Sequence, residues 1–376
     1  MKKLLFSLLL SSLSLNAFSQ IDRSANAETK LLYEKLNKLS LSYKTKQKIL
    51  LGQQNAFTEG RGWRQDNKDI GGDLRSDMET VSGVHPAVNG IDFNEIGDWN
   101  KDLIQYHVKE VYRRGGVTTL SWHMPTLIND GKGNNSYNDT TTRVVGRILP
   151  GGDHHALFNM KLNKLITFLK ELKGLPIIFR PWHEHNFSWF WWGKDHSTKD
   201  EYVKLWRYTV DYLKNNDVHN LLYAYSPNHI NGDYLDRYPG DEYVDILGVD
   251  HYFVDPQFDI NAFGPYPVYN WKNDVIWLCH EASKRNKIPA ITEFGQEGLY
   301  YEKFWTDYFG WPLEKEGMKQ ITGADNLPSK GVAYIMVWRN DIKDPKHFFG
   351  PFPGNQNNKN FMDLMSKGIY QGLKNH

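Results

Sequence analysis

The sequence predicts an α/β protein with a single-domain (β/α)8 fold, the TIM barrel, and three observations support this prediction. Short apolar runs of strand length recur along the chain, and amphipathic segments with helical spacing lie between them. The runs are continuous rather than alternating, as in residues 175–179 (LPIIF), which is typical of strands buried on both faces of a parallel sheet. The chain has 376 residues and no linker, internal repeat or low-complexity tract, so it fits one large barrel.

Eight apolar runs predict the eight strands. They cover residues 49–57, 87–93, 117–123, 176–184, 221–227, 244–252, 289–295 and 331–339. The competing architecture is the doubly wound α/β sheet, which predicts a glycine-rich phosphate-binding turn after an early strand. The chain has no G-x-G-x-x-G motif, so the barrel is the favoured topology.

Four amphipathic segments predict helices between these strands, at residues 98–114, 157–172, 198–215 and 272–285. The first segment has apolar residues at helical spacing and stops at the pair Gly115-Gly116. The third begins at Ser197-Thr198 and has acidic residues in its first turn, which is a typical helix start.

Residues 1–19 predict a secretory signal peptide. They combine a basic start at Lys2 and Lys3, a short apolar core and small residues near Ala17 and Ser19. The apolar stretch is too short and too interrupted for a convincing membrane span, and the alternative is an uncleaved N-terminal anchor. The mature chain, residues 20–376, is therefore expected to be exported to the periplasm or the medium and to act as a monomer without a membrane span.

The composition excludes some classes of function and suggests another. Lys and Arg number 45 against 44 Asp and Glu, which gives no support for nucleic-acid binding. Cys279 is the single cysteine, so no internal disulfide can form, and its apolar helical surroundings predict a buried structural thiol. The 13 tryptophans suggest platforms for sugar rings, although most of them are expected in the core.

Polar and aromatic residues follow several of the predicted strands. In a TIM barrel, residues at the C-terminal ends of the strands meet at one face and form the active site. The fourth run ends at Glu184 and the seventh carries Glu293 near its end. The third, sixth and eighth runs end with His123, Asp250, Tyr252, Trp338 and Arg339.

Glu184 and Glu293 provide the two carboxyl groups that hydrolysis of a glycosidic bond requires. They close strands three apart in an eight-stranded barrel, so they are expected to face each other at a short separation, about 5–5.5 Å, as in retaining enzymes. One of them must keep a raised pKa, and Trp182, Trp189 and Trp192 around Glu184 would provide apolar packing for this. The structural alternative is that each glutamate only pairs with Arg180 or Arg339.

Metal-dependent and serine-based chemistry are both disfavoured, and neither a metal nor another cofactor is expected. Zinc proteases use H-E-x-x-H on a helix, whereas here His183 and His185 flank Glu184 directly and cannot all point the same way. The pair at His154 and His155 would join them only through the tertiary fold. No G-x-S-x-G nucleophile motif is present.

Two motifs carry a resemblance to a known family. Residues 180–186 (RPWHEHN), followed by residues 189–193 (WFWWG), resemble the acid/base strand of glycoside hydrolase family 26. Residues 292–295 (TEFG) resemble the nucleophile strand of that family, and residues 121–123 and 338–339 fit as well. The likeness covers nearly the whole mature chain.

The resemblance implies a metal-independent, retaining (β/α)8 catalytic domain with Glu184 as acid/base and Glu293 as nucleophile. It also implies that seven residues contact or organise the substrate. His183 would line subsite −1, Tyr252 and Asp250 would lie near the nucleophile, Trp189 and Trp338 would pack against sugars, and His123 and Arg339 would serve subsites −1 and −2.

Most members of the family are β-1,4-mannanases, so the resemblance implies cleavage of mannan, galactomannan or manno-oligosaccharides. The alternatives are a β-1,3-xylanase, a mixed-linkage β-glucanase, or a non-hydrolytic glycan-binding protein, although the presence of both carboxylates argues against the last. His185 stands where family members often have Met. Two long segments, residues 129–152 and 253–270, are expected to wall the cleft.

Overall fold

The computed structural model describes residues 20–128, 136–137, 143–230, 232–253, 268–344 and 346–374, and it confirms a closed parallel barrel. Each strand pairs in parallel with the next, and the eighth pairs with the first. The strands are β1 (Ile49–Gln54), β2 (Val88–Asp92), β3 (Val117–Ser121), β4 (Ile177–Arg180), β5 (Leu221–Tyr225), β6 (Ile246–Phe253), β7 (Ile288–Gln296) and β8 (Tyr334–Val337). Each predicted run overlaps one of them.

The four predicted helices are present, and the described residues contain others that the sequence analysis did not predict. The helices are α1 (Ala27–Ser42), α2 (Asp77–Ser82), α3 (Lys101–Arg113), α4 (Val144–Ile148), α5 (His155–Glu171), α6 (Lys199–Asn215), α7 (Val268–Lys284), α8 (Lys315–Thr322) and α9 (Asn358–Ser366). The helix start predicted at Ser197-Thr198 is confirmed, and it contains a capping box, because the Thr198 hydroxyl accepts from the Glu201 amide and the Glu201 carboxylate accepts from the Thr198 amide.

Helix α1 closes the base of the barrel. Its buried residues Leu32, Tyr33 and Leu36 belong to one apolar cluster with inward-facing strand residues such as Ile178 and Leu222. Their neighbours along the strands, residues 177 and 221, belong instead to the cluster that packs against the outer helices. This alternation is the two-residue period of a strand, and it points residue 180 of β4 inward at the open end of the barrel.

Four short strands complete the described structure. Glu59–Gly60 and Trp63–Arg64 form an antiparallel hairpin after β1, at the open end of the barrel. Val84–Pro86 pairs with the C-terminal strand Tyr370–Lys374, which also pairs with the start of β1. The strand Tyr370–Lys374 is therefore anchored beside the start of β1, at the base of the barrel.

The structure confirms the predictions for Cys279 and for the tryptophans, while other predicted segments fall largely outside the described residues. Cys279 is buried in α7, and burial raises the pKa of its thiol above the ordinary range, as expected for a structural cysteine. Eight of the 13 tryptophans are buried, in agreement with the prediction that most are core. The predicted signal peptide, half of the predicted wall segment 129–152 and most of the wall segment 253–270 lie outside the described residues. No described helix is long and apolar enough to cross a membrane.

Candidate active site

Glu184 and Glu293 face each other at the open end of the barrel. One carboxylate oxygen from each of Glu184, Asp250 and Glu293 lies within 4.8 Å of one from each of the other two. Glu184 is 8% exposed and Glu293 is 3% exposed, so both carboxyl groups are largely removed from water. The separation matches the short distance between the two catalytic carboxyl groups of retaining glycosidases.

The backbone of Glu184 is in the left-handed region, with φ of +52°, and so is that of Trp182, with φ of +50°. Such conformations cost about 1–3 kcal/mol in non-glycine residues and are retained where the surroundings enforce them. Here the amide of Glu184 donates to the carbonyl of Ser226 on the neighbouring β5 segment at 2.9 Å. The turn after β4 therefore stores strain in order to aim the carboxyl group into the cleft.

Two neutral donors hold the Glu184 carboxyl group. Asn228 donates through Nδ2 to Oε1 at 2.6 Å, and Trp189 donates through Nε1 to Oε2 at 2.9 Å. Trp182 and Trp192 are buried behind this site and use their indole N–H groups on Thr209 and on the His183 carbonyl. Of the three tryptophans that the sequence placed around Glu184, Trp189 is thus the one that bonds its carboxyl group.

The pKa of Glu184 is raised to about 7, first by burial and then by the negative charge of Glu293. The hydrogen bond from Asn228 acts in the opposite direction, as do the positive charges near the site. At neutral pH a substantial fraction of Glu184 therefore carries a proton. This is the condition that a general acid needs.

Glu293 has a different set of partners. Arg180 donates through Nη2 to Oε1, and Tyr252 donates its hydroxyl to Oε2 at 2.6 Å. Burial and the neighbouring carboxylates raise the pKa of Tyr252 above its ordinary value, so its hydroxyl stays protonated and remains a donor. A cation and a hydroxyl donor together stabilise the carboxylate form of Glu293, which is the form that can attack carbon.

Arg180 organises this half of the site. Its Nη1 donates to Asp250 at 2.9 Å, while Asp250 also accepts from the hydroxyl of Thr292 at 2.6 Å. Burial opposes the charge on Arg180, but Asp250 and Glu293 outweigh burial and raise its pKa above the ordinary value. The spacing of the three carboxylates would suit a metal ion, yet the guanidinium already supplies a positive charge to two of them.

A local irregularity of β7 sets the direction of Glu293. The register between β6 and β7 shifts at this point, since Ile291 pairs with Val249 but Glu293 pairs with Asp250. The extra residue, Thr292, makes a bulge, and bulges near active sites commonly re-aim a side chain. Both Thr292 and Glu293 consequently reach the polar cluster at the barrel mouth.

His123 and His183 form a second polar pair. His123 bonds Asp92 through Nδ1 at 2.7 Å and His183 through Nε2 at 3.1 Å. Burial disfavours charge on His123, but Asp92 outweighs burial and raises its pKa. Burial, Arg180 and His123 together lower the pKa of His183. These opposite shifts favour the proton on His123 in the hydrogen bond between the two rings.

Aromatic side chains line the cleft around these groups. Trp338 and Trp189 are half-buried, and the Trp338 ring centroid lies 6.0 Å from that of His123. Tyr137 packs against Phe190 at 5.5 Å and is 59% exposed. Burial raises the pKa of Tyr137, and the negative charges of Glu184 and Glu293 raise it further.

Arg339 lies farther along the cleft, at the end of β8. Its Nη1 bonds Glu95 at 2.6 Å and its Nη2 bonds Asp341 at 3.2 Å. The structural alternative raised for the glutamates is therefore observed in one case only. Glu293 pairs with Arg180, while Arg339 pairs with neither glutamate of the site.

The remaining histidines of the motif are separated from the site. His185 is buried between the rings of Tyr202 and Tyr225, with centroids 4.2 and 4.9 Å away, so its side chain points away from the cleft. His154 pairs with Asp153 at 2.9 Å. These histidines do not come together with His183.

The structure places in the site four residues that were not identified from the sequence. Asp92 closes β2 and Asn228 follows β5, so the strand-end rule would have found both if it had been applied to every strand. Arg180 was considered only as a structural partner of a glutamate. Tyr137 had no signal, because it lies in a long segment without a strand or helix pattern.

Known proteins are similar to this chain in sequence and in fold. The model of the glycosyl hydrolase family 26 matches residues 21–321. A mannan endo-1,4-beta-mannosidase of Bifidobacterium adolescentis is 35% identical over 353 residues, which cover 86% of this chain and 32% of that protein. A mannan endo-1,4-beta-mannosidase of Bacillus subtilis is 28% identical over 218 residues, with 51% and 57% covered. The chain thus spans between a third and somewhat over half of these curated relatives.

The alignments with two solved structures cover nearly the whole of both chains. A GH26 beta-mannanase from Bacteroides ovatus, BoMan26A, superposes with a TM-score of 0.74 at 30% identity, covering 92% of this chain and 95% of that one. The catalytic domain of a GH26 endo-beta-1,4-mannanase from Bacillus sp. JAMB-750 superposes with a TM-score of 0.79 at 30% identity, covering 94% of both chains.

Proposed function

The chain belongs to glycosyl hydrolase family 26, and we propose that it is a retaining β-mannanase that cleaves β-1,4-mannosidic linkages in mannan, galactomannan or manno-oligosaccharides. The observation that carries the proposal is the pair of buried carboxyl groups within 4.8 Å, one with a pKa raised to about 7 and the other held by a cation. The relatives named above act on mannan, and this favours mannan over β-1,3-xylan and mixed-linkage β-glucan.

In the first step, Glu293 attacks the anomeric carbon while Glu184 protonates the departing glycosidic oxygen. The bond from carbon to that oxygen breaks, and a covalent glycosyl-enzyme ester forms on Glu293. In the second step, Glu184 removes a proton from water, which attacks the same carbon and releases Glu293. Two inversions leave the configuration of the sugar unchanged.

The environment of Glu184 provides the change of role between the two steps. The charge of Glu293 is one cause of the raised pKa of Glu184. That charge disappears when Glu293 becomes an ester, so the pKa of Glu184 must fall in the intermediate. The proton that Glu184 gave to the leaving group is then not regained at once, and its carboxylate is ready to act as a base.

We assign the other predicted residues to substrate binding. His183 lines subsite −1 and His123 serves subsites −1 and −2, where their rings shape the wall of the cleft, and Trp189 and Trp338 provide apolar surfaces for sugars. Tyr252 and Asp250 act through Glu293 and Arg180. Arg339, which is partly exposed beside Glu95, serves subsite −2.

The proposal extends to the organisation of the chain. Residues 20–376 form the catalytic domain, and residues 1–19 direct its export to the periplasm or the medium, where it acts as a monomer. The basic start and apolar core of residues 1–19 support the export signal.

Product analysis tests the activity most directly. Wild type and Glu293→Ala are incubated with unbranched mannan, galactomannan, β-1,3-xylan and mixed-linkage β-glucan, and products are identified by chromatography and mass. We expect manno-oligosaccharides from wild type and none from the variant. Cleavage of a different polysaccharide would keep the mechanism but replace the substrate, and no cleavage of any of the four would favour a glycan-binding protein.

A further inference from the structure

Trp99 is the most exposed tryptophan of the protein. All 13 tryptophans fall within the described residues, and 12 of them are buried or half-buried, while Trp99 is 48% exposed. Single exposed apolar side chains are common on protein surfaces, but this ring forms part of a pocket that polar side chains also line. The role of Trp99 is not explained by core packing.

Trp99 lines a pocket of about 250 Å³ together with Arg64, Gln65 and Asp66. The guanidinium of Arg64 lies over the Trp99 ring, 5.2 Å from its centroid. One face of the ring therefore has a partner, and about half of the residue remains open to a ligand. The pocket combines an aromatic surface with a cation, an amide and a carboxylate, which is a suitable set of groups for a sugar unit.

A row of neighbouring residues links the pocket to the candidate active site. Arg64 pairs with Glu59 at 3.0 Å. Burial raises the pKa of Glu59, and the positive charges of Arg64 and Arg339 both act against that rise. Trp338, the neighbour of Arg339 along the chain, packs against His123 at the candidate active site.

The backbone that carries Trp99 is tied to the same row of residues. The side chain of Asn100 accepts from the Gly97 amide at 2.9 Å and donates to the Glu95 carbonyl at 3.1 Å. Glu95 in turn bonds Arg339 through its carboxylate. Trp99 is thus held in an ordered turn. Through Glu95, this turn is connected to Arg339, the residue assigned to subsite −2.

The position in the barrel gives the direction along the substrate. The pocket is built by the hairpin after β1 and the turn after β2. The acid Glu184 and its partner Asn228 follow β4 and β5, on the other side of the barrel. Because the acid protonates the leaving group, the pocket lies on the side of the sugar units that stay attached to the enzyme in the covalent intermediate.

We propose that Trp99, Arg64, Gln65 and Asp66 form a distal glycone subsite, beyond subsite −2, that binds mannosyl units of the same polysaccharide chain. The inference rests on the proposed mannanase function. The ring of Trp99 stacks on the apolar face of a sugar, and the three polar side chains bond its hydroxyl groups. Occupation of this site requires a chain that continues past subsite −2, so the enzyme cuts within chains.

The test compares Trp99→Ala with wild type on manno-oligosaccharides from mannotriose to mannohexaose. Tyr112→Ala is the matched control, because Tyr112 is an exposed aromatic residue at the opposite end of α3, away from the cleft. Initial-rate kcat/KM is measured for each length. Digestion in ¹⁸O-labelled water followed by mass spectrometry reports which bond is cut, since the new reducing end carries the label.

We expect Trp99→Ala to lose about tenfold in kcat/KM on mannohexaose, because a factor of this size corresponds to the loss of one favourable aromatic contact. Mannotriose should be cut at the wild-type rate. Fewer cuts should leave three or four sugars on the glycone side. An equal loss on both substrates, or an unchanged rate and cleavage pattern, would overturn the subsite while wild-type activity on mannan keeps the proposed function. A wild type that cuts no manno-oligosaccharide would overturn both.

Discussion

The two halves of the catalytic centre hold the same functional group in opposite ways. On the β4–β5 side, Glu184 receives bonds from two neutral donors, Asn228 and Trp189, and burial keeps its pKa high. On the β6–β7 side, Glu293 receives bonds from the charged Arg180 and from Tyr252. Both glutamates are buried and lie within 4.8 Å of each other, so their surroundings differ in the charge of the donors rather than in burial.

The largest effect is expected when Glu293 is removed from the β6–β7 side, which we call the charged half because Arg180 lies there. Glu293→Ala removes the group that forms the covalent intermediate, so kcat on mannan should fall by about 10⁴-fold or more. Rates on manno-oligosaccharides and on an aryl mannobioside measure this loss. Retained turnover on either substrate would mean that the assignment of Glu293 as nucleophile is wrong.

On the β4–β5 side, which we call the neutral half because Glu184 has neutral donors, the effect of a substitution should depend on the leaving group of the substrate. Glu184→Ala removes the acid, and kcat/KM on mannan should fall by about 10²–10⁴-fold. An aryl glycoside with a good leaving group needs little proton transfer, so its first step should be affected much less. Equal losses on the polysaccharide and on the activated aryl substrate would count against Glu184 as the acid.

A milder change weakens the charged half without removing the carboxylate. Tyr252→Phe deletes the hydroxyl that donates to Glu293 and keeps the ring against Phe349. Loss of a hydrogen bond to a charged group costs about 1.5–3 kcal/mol, so we expect kcat/KM to fall by roughly 10- to 100-fold. Wild-type kinetics in this variant would indicate that Arg180 alone is enough to hold Glu293.

The smallest expected effect is a shift in pH dependence from the neutral half. The alkaline limb of kcat/KM reports the loss of the proton from Glu184, near its pKa of about 7. Asn228 lowers that pKa by stabilising the charged form, so Asn228→Ala should raise it and move the alkaline limb to higher pH. A pH–rate profile measures the shift, and movement of the limb to lower pH would contradict the proposed balance.

The strand pattern and the site were predictable to different degrees. Continuous apolar runs revealed all eight strands, and the rule that strand ends form the site brought Glu184 and Glu293 together in advance. The run at residues 176–184 overshot β4, since the left-handed backbone at Trp182 and Glu184 is a tertiary constraint that an apolar pattern does not record. Helix α1 was missed although Leu32 and Leu36 are spaced as on one helix face.

Other features depend on contacts between distant parts of the chain. The sequence contains Arg180 next to the acid, but the structure pairs it with Glu293, which is 113 residues away. The exposure of Tyr137 and Trp99 is set by how their loops pack, so neither could be separated from core aromatics by composition. The local motif therefore singled out the two glutamates, and the fold determined which partners surround each of them.

The closure of the barrel base by α1 has a consequence for folding kinetics. Helix α1 is synthesised before any barrel strand, yet it packs against β5 and β7. The amide of Ile21 bonds the Asp245 carboxylate across 224 residues, and the C-terminal strand Tyr370–Lys374 pairs with β1. Contacts of such long sequence separation form late, because much loop entropy is lost before they are made. The base should therefore be sealed in the last stage of folding, after most of the barrel has assembled.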